Sequence, residues 1–353
     1  MDYVQSVLQE IKPIDEHYLN RVQLHIDTLT MPQGSLGRLI ELGKRYAAIK
    51  RTLQPRIEKK KIIIFAADHG VAQEGVSAYP REVTKQMVVN FLQGGAGINV
   101  LARHVGAEVG VVDIGVDCDF SDSAGLIKKK VARGTRNMAQ EHAMTRRQAH
   151  KALQTGIELA REAAQSGIDL IGTGEMGIGN TTPSSAIVAA FTGLPPCRVT
   201  GRGTGVDDKG LQIKTEIIEK ALLRHKPDKN DPMDVLVKVG GFEIAAIAGL
   251  VIGAAAENVP VVIDGFISTA GALVAYEMNN TVADYLFASH QSVEKGHRVT
   301  LDRMGLQPLL DLDLRLGEGT GAALAVSLVE AGVKLITEMA TFEEAGVSES
   351  RQE

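Results

Sequence analysis

Apolar residues along the chain fall into two patterns. Short runs rich in β-branched residues occur at 62–67, 109–114, 169–172, 235–239, 261–264 and 285–288. They are continuously apolar rather than alternating, which predicts strands in a sheet covered on both faces. Between them, apolar positions recur at helical spacing: over 145–165, Ala149, Leu153, Ile157, Ala160 and Ala164 form one stripe facing a core. Residues 244–256, flanked by Glu243 and Glu257, are apolar throughout. That run is shorter than the roughly 20 residues that cross a bilayer, so it predicts a buried helix. Alternating strands and helices imply parallel strands joined by right-handed crossovers. The predicted fold is α/β, a doubly wound sheet of six parallel strands, with ligands beyond the strands' carboxyl ends.

The chain ends break the alternation. Residues 1–50 and 320–353 carry helical patterns and no strand run. They are expected to pack together as a small helical domain beside a large α/β domain over 51–319. A polar stretch at 137–147 reads as an excursion from the large domain.

Composition then removes several classes of function. With 353 residues, 44% apolar and 23% charged, the chain has the balance of a folded globular protein rather than a disordered one. A net charge of −5 speaks against a nucleic-acid surface, which needs a concentrated basic stripe. The opening MDYVQSVLQEIKPIDEHYL is charged and amphipathic, without an apolar signal core. A soluble, cytoplasmic protein with no membrane contact is expected. Cys118 and Cys197 are too few for a disulfide framework or a Cys-rich zinc site, and read as small buried thiols. Against 8 Phe, 6 Tyr and no Trp stand 37 Gly, so backbone must approach something closely at many points.

The glycines gather where predicted strands end: GTGEMGIGNTT at 172–182, GRGTGVDDK at 201–209, GGFE at 240–243 and GEGTG at 317–321. Such loops, entering helices, bring backbone N–H groups and a positive dipole end to a phosphate. One alone is explained as a tight turn; four at the ligand edge of a sheet point to a phosphorylated substrate. Residues 172–177 also match G-x-G-x-x-G, but no acid follows about 20 residues on to hold a ribose. An NAD-dependent oxidoreductase is therefore the weaker reading, and the absence of a Walker A sequence makes a P-loop kinase weaker still. Glu175 and Glu318 stand among these glycines. Two carboxylates facing one cavity raise one pKa and suit it for proton transfer. A non-catalytic nucleotide-binding protein is a third reading, disfavoured by the presence of both glutamates. Lys214, within the helix that follows GRGTGVDDK, reads on its own as a solvated lysine. Asp68-His69-Gly70 reads as a hydrogen-bonded structural pair, since no second His or Cys stands at ligand spacing. Ser289, His290 and Ser292 follow the sixth run and read as substrate hydrogen-bonding groups, because no nucleophile elbow G-x-S-x-G is present.

Longer motifs carry a more specific signal. MPQGSLGRL (31–39), FAADHGV (65–71), NFLQGGAGINVLA (90–102), GEMGIGNTTPSSA (174–186) and GRGTGVDD (201–208) occur in that order. VGGFEIAAIAG (239–249), VIDGFISTAGAL (262–273), SHQSVEKGH (289–297) and LRLGEGTGAALA (314–325) follow. Together they resemble the nicotinate-nucleotide–dimethylbenzimidazole phosphoribosyltransferase family, over most of the chain. The resemblance implies a six-stranded sheet of Rossmann-like topology, a small helical domain from both termini, and a homodimer in which a neighbour helps close each site. It implies transfer of the phosphoribosyl group of nicotinate mononucleotide to 5,6-dimethylbenzimidazole, without metal or cofactor. By the same resemblance Glu318 is the base and Glu175 the second carboxylate. Gly177, Asn180, Thr181, Thr182, Gly203, Lys214, Asp264 and Ser292 match the phosphoribosyl region. Tyr79, Met87 and Met176 match the region lining the aromatic base.

Overall fold

Strand β1 (Lys60–Ala67) lies between β2 (Ala107–Gly115) and β4 (Leu170–Met176). Beyond β2 the sheet continues into β3 (Leu126–Lys128), and beyond β4 into β5 (Val261–Ile263) and β6 (Leu286–Ala288). All pairings are parallel and the order is β3-β2-β1-β4-β5-β6, the doubly wound Rossmann order. The α/β fold expected from the sequence is the one observed. It comes from a computed structural model that describes residues 2–120 and 123–348. The order in which successive strands are added reverses between β1 and β4, and the crevice outside their carboxyl ends is the topological switch point.

The six strands are not the six predicted runs. Five coincide, but 235–239 lies in a helix, Pro232–Val239. Asp231 caps it, accepting from the N–H groups of Met233 and Asp234, and Pro232 suits its first turn. Lys238 pairs with Asp234 one turn back at 2.8 Å. These local signals override the strand preference of valine. The missing strand is β3, an edge strand of three residues of which only Leu126 is buried, too short for a run to show.

Helix Arg146–Gln165 starts at Thr145 in a reciprocal cap with Gln148, and Ala149, Leu153, Ile157 and Ala160 are buried as the stripe predicts. It crosses helix Phe242–Ala256, apolar from Ile244 onward, at backbone contact. A Cβ on Gly156 would sit 2.0 Å from the Ala246 carbonyl oxygen, and one on Gly249 1.9 Å from that of Leu153. The scarcity of aromatics is thus matched by helices that touch through glycine. Residues 137–147 are a packed segment rather than an excursion. Met138, Ala139, Ala143 and Met144 are buried, and the Arg136 N–H donates to the Ala143 carbonyl.

At the chain ends, helix Arg38–Ile49 crosses helix Thr320–Glu338 where Gly43 meets Gly332; a Cβ on Gly43 would lie 2.2 Å from the Gly332 oxygen. Val22, Ile26, Leu29, Ile40, Ala47 and Ile336 form a hydrophobic cluster separate from the main core. Thr30 and Phe342 add backbone bonds between the two ends. The first turns of helix Thr320–Glu338 belong to the main core through Ala322, Ala323 and Val326. Among the described residues this is the one helix long and apolar enough to cross a membrane, and ten of its residues are buried against the rest of the chain. Of the cysteines, Cys118 is half-buried and Cys197 exposed, so neither is the buried thiol expected.

Candidate active site

The β4 strand ends in Gly174-Glu175-Met176, and its glycines are explained by packing. A Cβ on Gly172 would meet the Ile62 side chain at 2.3 Å, and one on Gly174 the Glu318 carbonyl at 2.5 Å. Residues 172–176 therefore run along β4 against β1 and the 317–319 loop, and do not form a dinucleotide turn. The apparent fingerprint is a packing pattern.

Beyond these strand ends lies a cleft of about 660 Å³, partly open to solvent. Glu175, Met176, Gly177, Asn180, Thr181, Gly203 and Ser292 line it, residues from three separate stretches of sequence. Glu175 is 6% exposed and its carboxylate accepts from the Asn180 amide. Burial drives its pKa up to about 8 against that hydrogen bond, with Asp264, Glu243 and Glu318 adding repulsion. At neutral pH Glu175 is therefore mostly a neutral acid.

Glu318 lies beside the cleft, next to Gly317 in its wall. The loop is an unusual one: Gly317, Glu318 and Gly319 all have left-handed backbones, with φ of +82°, +65° and +93°. For a residue with a side chain that conformation costs on the order of 1–3 kcal/mol and persists only where its surroundings impose it. Here Asp264 imposes it. Its two carboxylate oxygens accept from the N–H groups of Gly319 and Ala322, at 3.1 and 3.0 Å, tying the loop to the start of helix Thr320–Glu338. Glu318 Oε2 accepts from the N–H of Ile98, 3.3 Å away at the start of helix Gly97–Val105. Burial raises the Glu318 pKa, that N–H opposes the rise, and Asp264 adds to it.

Lys214 is fully buried, not solvated. Its Nζ donates to Thr181 Oγ1 at 2.6 Å and to the Gly201 carbonyl at 3.3 Å. Burial pulls its pKa down to about 8, with Glu294 holding it up. A helix-born lysine thus reaches through the protein to the rim of the 201–205 loop, a route that sequence spacing cannot reveal. Ser292 is set by His297, whose Nδ1 accepts the Ser292 N–H at 2.8 Å while Nε2 meets Thr269 Oγ1 at 2.9 Å. Burial holds the His297 pKa down to about 3, so the ring is neutral and can accept.

Other residues singled out in the sequence stand outside the cleft wall. Thr182 is fully buried behind Thr181, and Asp264 lies beneath the wall as the anchor just described. Tyr79 is 55% exposed. Its segment is tied to the glycine loop by the Ala78 N–H, which donates to Thr204 Oγ1 at 3.1 Å. Met87 is half-buried on helix Glu82–Gln93, one turn from Thr84, whose Oγ1 accepts from the N–H of Ile178. His69 pairs with Glu243 at 2.7 Å rather than with Asp68, which accepts from the Asp117 N–H. His290 lines the cleft, as do Glu294 and Arg315, which lie within the 289–297 and 314–325 motifs but carry no signal of their own in the sequence. Among the described residues no cluster of His, Cys, Asp and Glu has the make-up of a metal site.

A Rossmann-ordered sheet with glycine loops, a buried lysine and paired carboxylates at its switch point defines a class of enzyme that handles a phosphorylated sugar. A family model described as phosphoribosyltransferase matches residues 11–347, and the chain belongs to that family. Within it, the nicotinate-nucleotide–dimethylbenzimidazole phosphoribosyltransferase of Geobacter sulfurreducens is 63% identical over 349 residues, 99% of both chains. The protein of the same name from Chloroflexus aggregans is 54% identical over 352 residues, the whole length of both. The crystal structure of CobT from Thermus thermophilus superposes with a TM-score of 0.91 at 48% identity, covering 95% of this chain and 100% of that one.

Proposed function

We propose that the protein transfers the phosphoribosyl group of nicotinate mononucleotide to 5,6-dimethylbenzimidazole, releasing nicotinate and forming α-ribazole 5′-phosphate for the nucleotide loop of cobalamin. The names of its relatives support the substrates. The observation that carries the chemistry is the pairing of two buried carboxyls with raised pKa values, Glu175 and Glu318, where β4 meets the 317–319 loop.

In this reading one benzimidazole nitrogen attacks the anomeric carbon from the face opposite nicotinate, inverting β to α. The bond to nicotinate breaks with its electron pair going to the ring nitrogen, so a cationic ring leaves neutral. The other benzimidazole N–H becomes acidic as the bond forms, and Glu318 accepts that proton. A carboxylate with a raised pKa is the better acceptor. Glu175, neutral at pH 7, adds no second negative charge beside the base. Gly177, Asn180, Thr181, Gly203 and Ser292 hold the phosphoribosyl group, with Lys214 and Thr182 behind them and Asp264 supporting the Glu318 loop. Met176, Met87 and Tyr79 cover the aromatic base. No pyrophosphate departs, so the reaction needs no cation, and activity is expected to survive exhaustive chelation.

The chain ends, 1–50 and 320–353, make the small helical domain of this reading, with residues 1 and 349–353 outside the described part. The separate cluster of Val22, Ile26, Leu29, Ile40, Ala47 and Ile336 supports it, while Val4, Val7 and Leu8 pack into the main core. A homodimer in the cytoplasm belongs to the same reading. Purified protein incubated with nicotinate mononucleotide and a panel of bases, followed by mass spectrometry, tests it. The α-linked nucleotide phosphate and free nicotinate are the expected products. Absence of both with every base overturns the reading, and a nicotinamide absorbance change with a small alcohol or acid would revive a dehydrogenase.

A further inference from the structure

Glu294 is a buried carboxylate that the reaction above does not use. It stands at the N-cap of helix Lys295–Arg303, but its side chain makes no capping bond there. Instead it reaches across to the 201–205 loop, where Oε1 accepts from the N–H of Gly203 at 2.8 Å. The carboxylate lies flat on Gly201, so close that a Cβ there would fall 2.2 Å from Oε2. Oε2 itself is buried without a hydrogen-bond partner, and the residue is 6% exposed and lines the cleft. Gly203 has a left-handed backbone, φ +53°, and its α-carbon faces Lys214: a Cβ there would lie 3.0 Å from Lys214 Nζ. One anionic oxygen therefore already occupies a backbone donor at the edge of a lysine, the same pair of groups that a phosphoryl oxygen would seek.

We infer that Glu294 is a built-in occupant of the phosphoryl subsite, holding the Gly203 N–H in the free protein and giving it up when the phosphorylated substrate binds. This rests on the reading that the 201–205 loop receives the phosphoribosyl group. Two like charges cannot share one donor in a buried site without repulsion. The carboxylate therefore keeps the loop ordered and its donor satisfied while the cleft is vacant, and weakens the hold on phosphate when it is filled. A site that must release a phosphorylated product after each turnover gains from that arrangement, because substrate and product share the phosphate.

Glu294→Gln tests it by keeping an acceptor for the Gly203 N–H and removing the charge. Binding is measured by calorimetry for nicotinate mononucleotide, for its riboside without phosphate, and for inorganic phosphate. The expected result is that the variant binds the mononucleotide and phosphate about tenfold more tightly, one charge–charge contact of modest strength, and the riboside as the native protein does. Glu294→Asp, which keeps the charge, should not show the gain. Weaker binding of the mononucleotide, or an equal change for mononucleotide and riboside, overturns the inference and makes Glu294 a plain structural support. A crystal structure of the native protein with nicotinate mononucleotide decides the matter without a variant. A phosphoryl oxygen at the Gly203 N–H with Glu294 moved away is expected, and Glu294 still bonded there beside bound phosphate overturns the inference alone. If the native protein binds neither mononucleotide nor phosphate in this cleft, the phosphoribosyl reading fails first and takes this inference with it.

Discussion

Glu175 lies against the backbone of Gly317: a Cβ on Gly317 would fall 2.3 Å from Glu175 Oε1. The end of β4 and the loop carrying Glu318 thus meet at a point where no side chain fits. Gly317→Ala adds that side chain to a residue with φ +82°. The backbone strain alone costs on the order of 1–3 kcal/mol, and the Glu175 carboxyl must also move. A lowered melting temperature with a loss in kcat/KM of at least about tenfold is expected, one decade per about 1.4 kcal/mol of lost transition-state stabilisation. Unchanged kinetics in a folded variant would separate the two carboxyls.

Glu318→Gln keeps shape and hydrogen bonding but removes the proton acceptor. Loss of a general base costs about 10²- to 10⁴-fold, so kcat should fall by that much while nicotinate mononucleotide binds as before. Single-turnover rates and calorimetry on the same preparation check it. Near-native turnover at neutral pH would take Glu318 out of the role of base.

Glu175 makes stability depend on pH. Its pKa rises from the ordinary 4.5 to about 8 in the folded chain, so folding favours the protonated form. The stabilisation is complete below about pH 4.5 and is lost as pH rises through 8. Glu175→Gln has no proton to lose. Melting temperatures from pH 5 to 9 should therefore fall for the native protein relative to the variant, and a constant difference between the two would mean that Glu175 is already ionised at neutral pH.

The proposed base-binding side chains discriminate weakly. Met176 lines the cleft, while Tyr79 and Met87 sit on segments tied to its wall through Thr204 and Ile178. A methyl-sized difference against such walls is worth about 1–3 kcal/mol, or 10- to 200-fold. Benzimidazole and 5-substituted benzimidazoles should be used within about 200-fold of the dimethyl compound. Adenine should be poorer, since its polar edge loses water without gaining partners. Comparing kcat/KM across these bases in native protein and in Met87→Gln is the check. A native preference beyond a thousandfold, or a ranking untouched by the substitution, contradicts this account of the pocket.

The sequence by itself determined the parallel sheet, because continuous β-branched runs such as 62–67 suit only strands buried on both faces. It also singled out Glu175 and Glu318, which stand among glycines at strand ends, and the ordered motifs carried the family. Local composition misled at 235–239, where the Asp231 cap and a Pro at the first turn outweighed valine's strand preference. It was silent at 126–128, because a three-residue edge strand leaves no periodic trace. Only the tertiary structure decided the remainder. Lys214 reads as one more exposed helix lysine until packing buries its stem and delivers the ammonium to Thr181. Asp264 matches the phosphoribosyl region by resemblance, and only the fold adds its two bonds to Gly319 and Ala322, which tie the Glu318 loop to helix Thr320–Glu338. Glu294 gave no signal, because what distinguishes it is the Gly203 N–H, 91 residues away in the chain. Periodicity reports which face of an element is buried. Burial of a charge, and the long-range partner that tolerates it, exist only once the chain is folded.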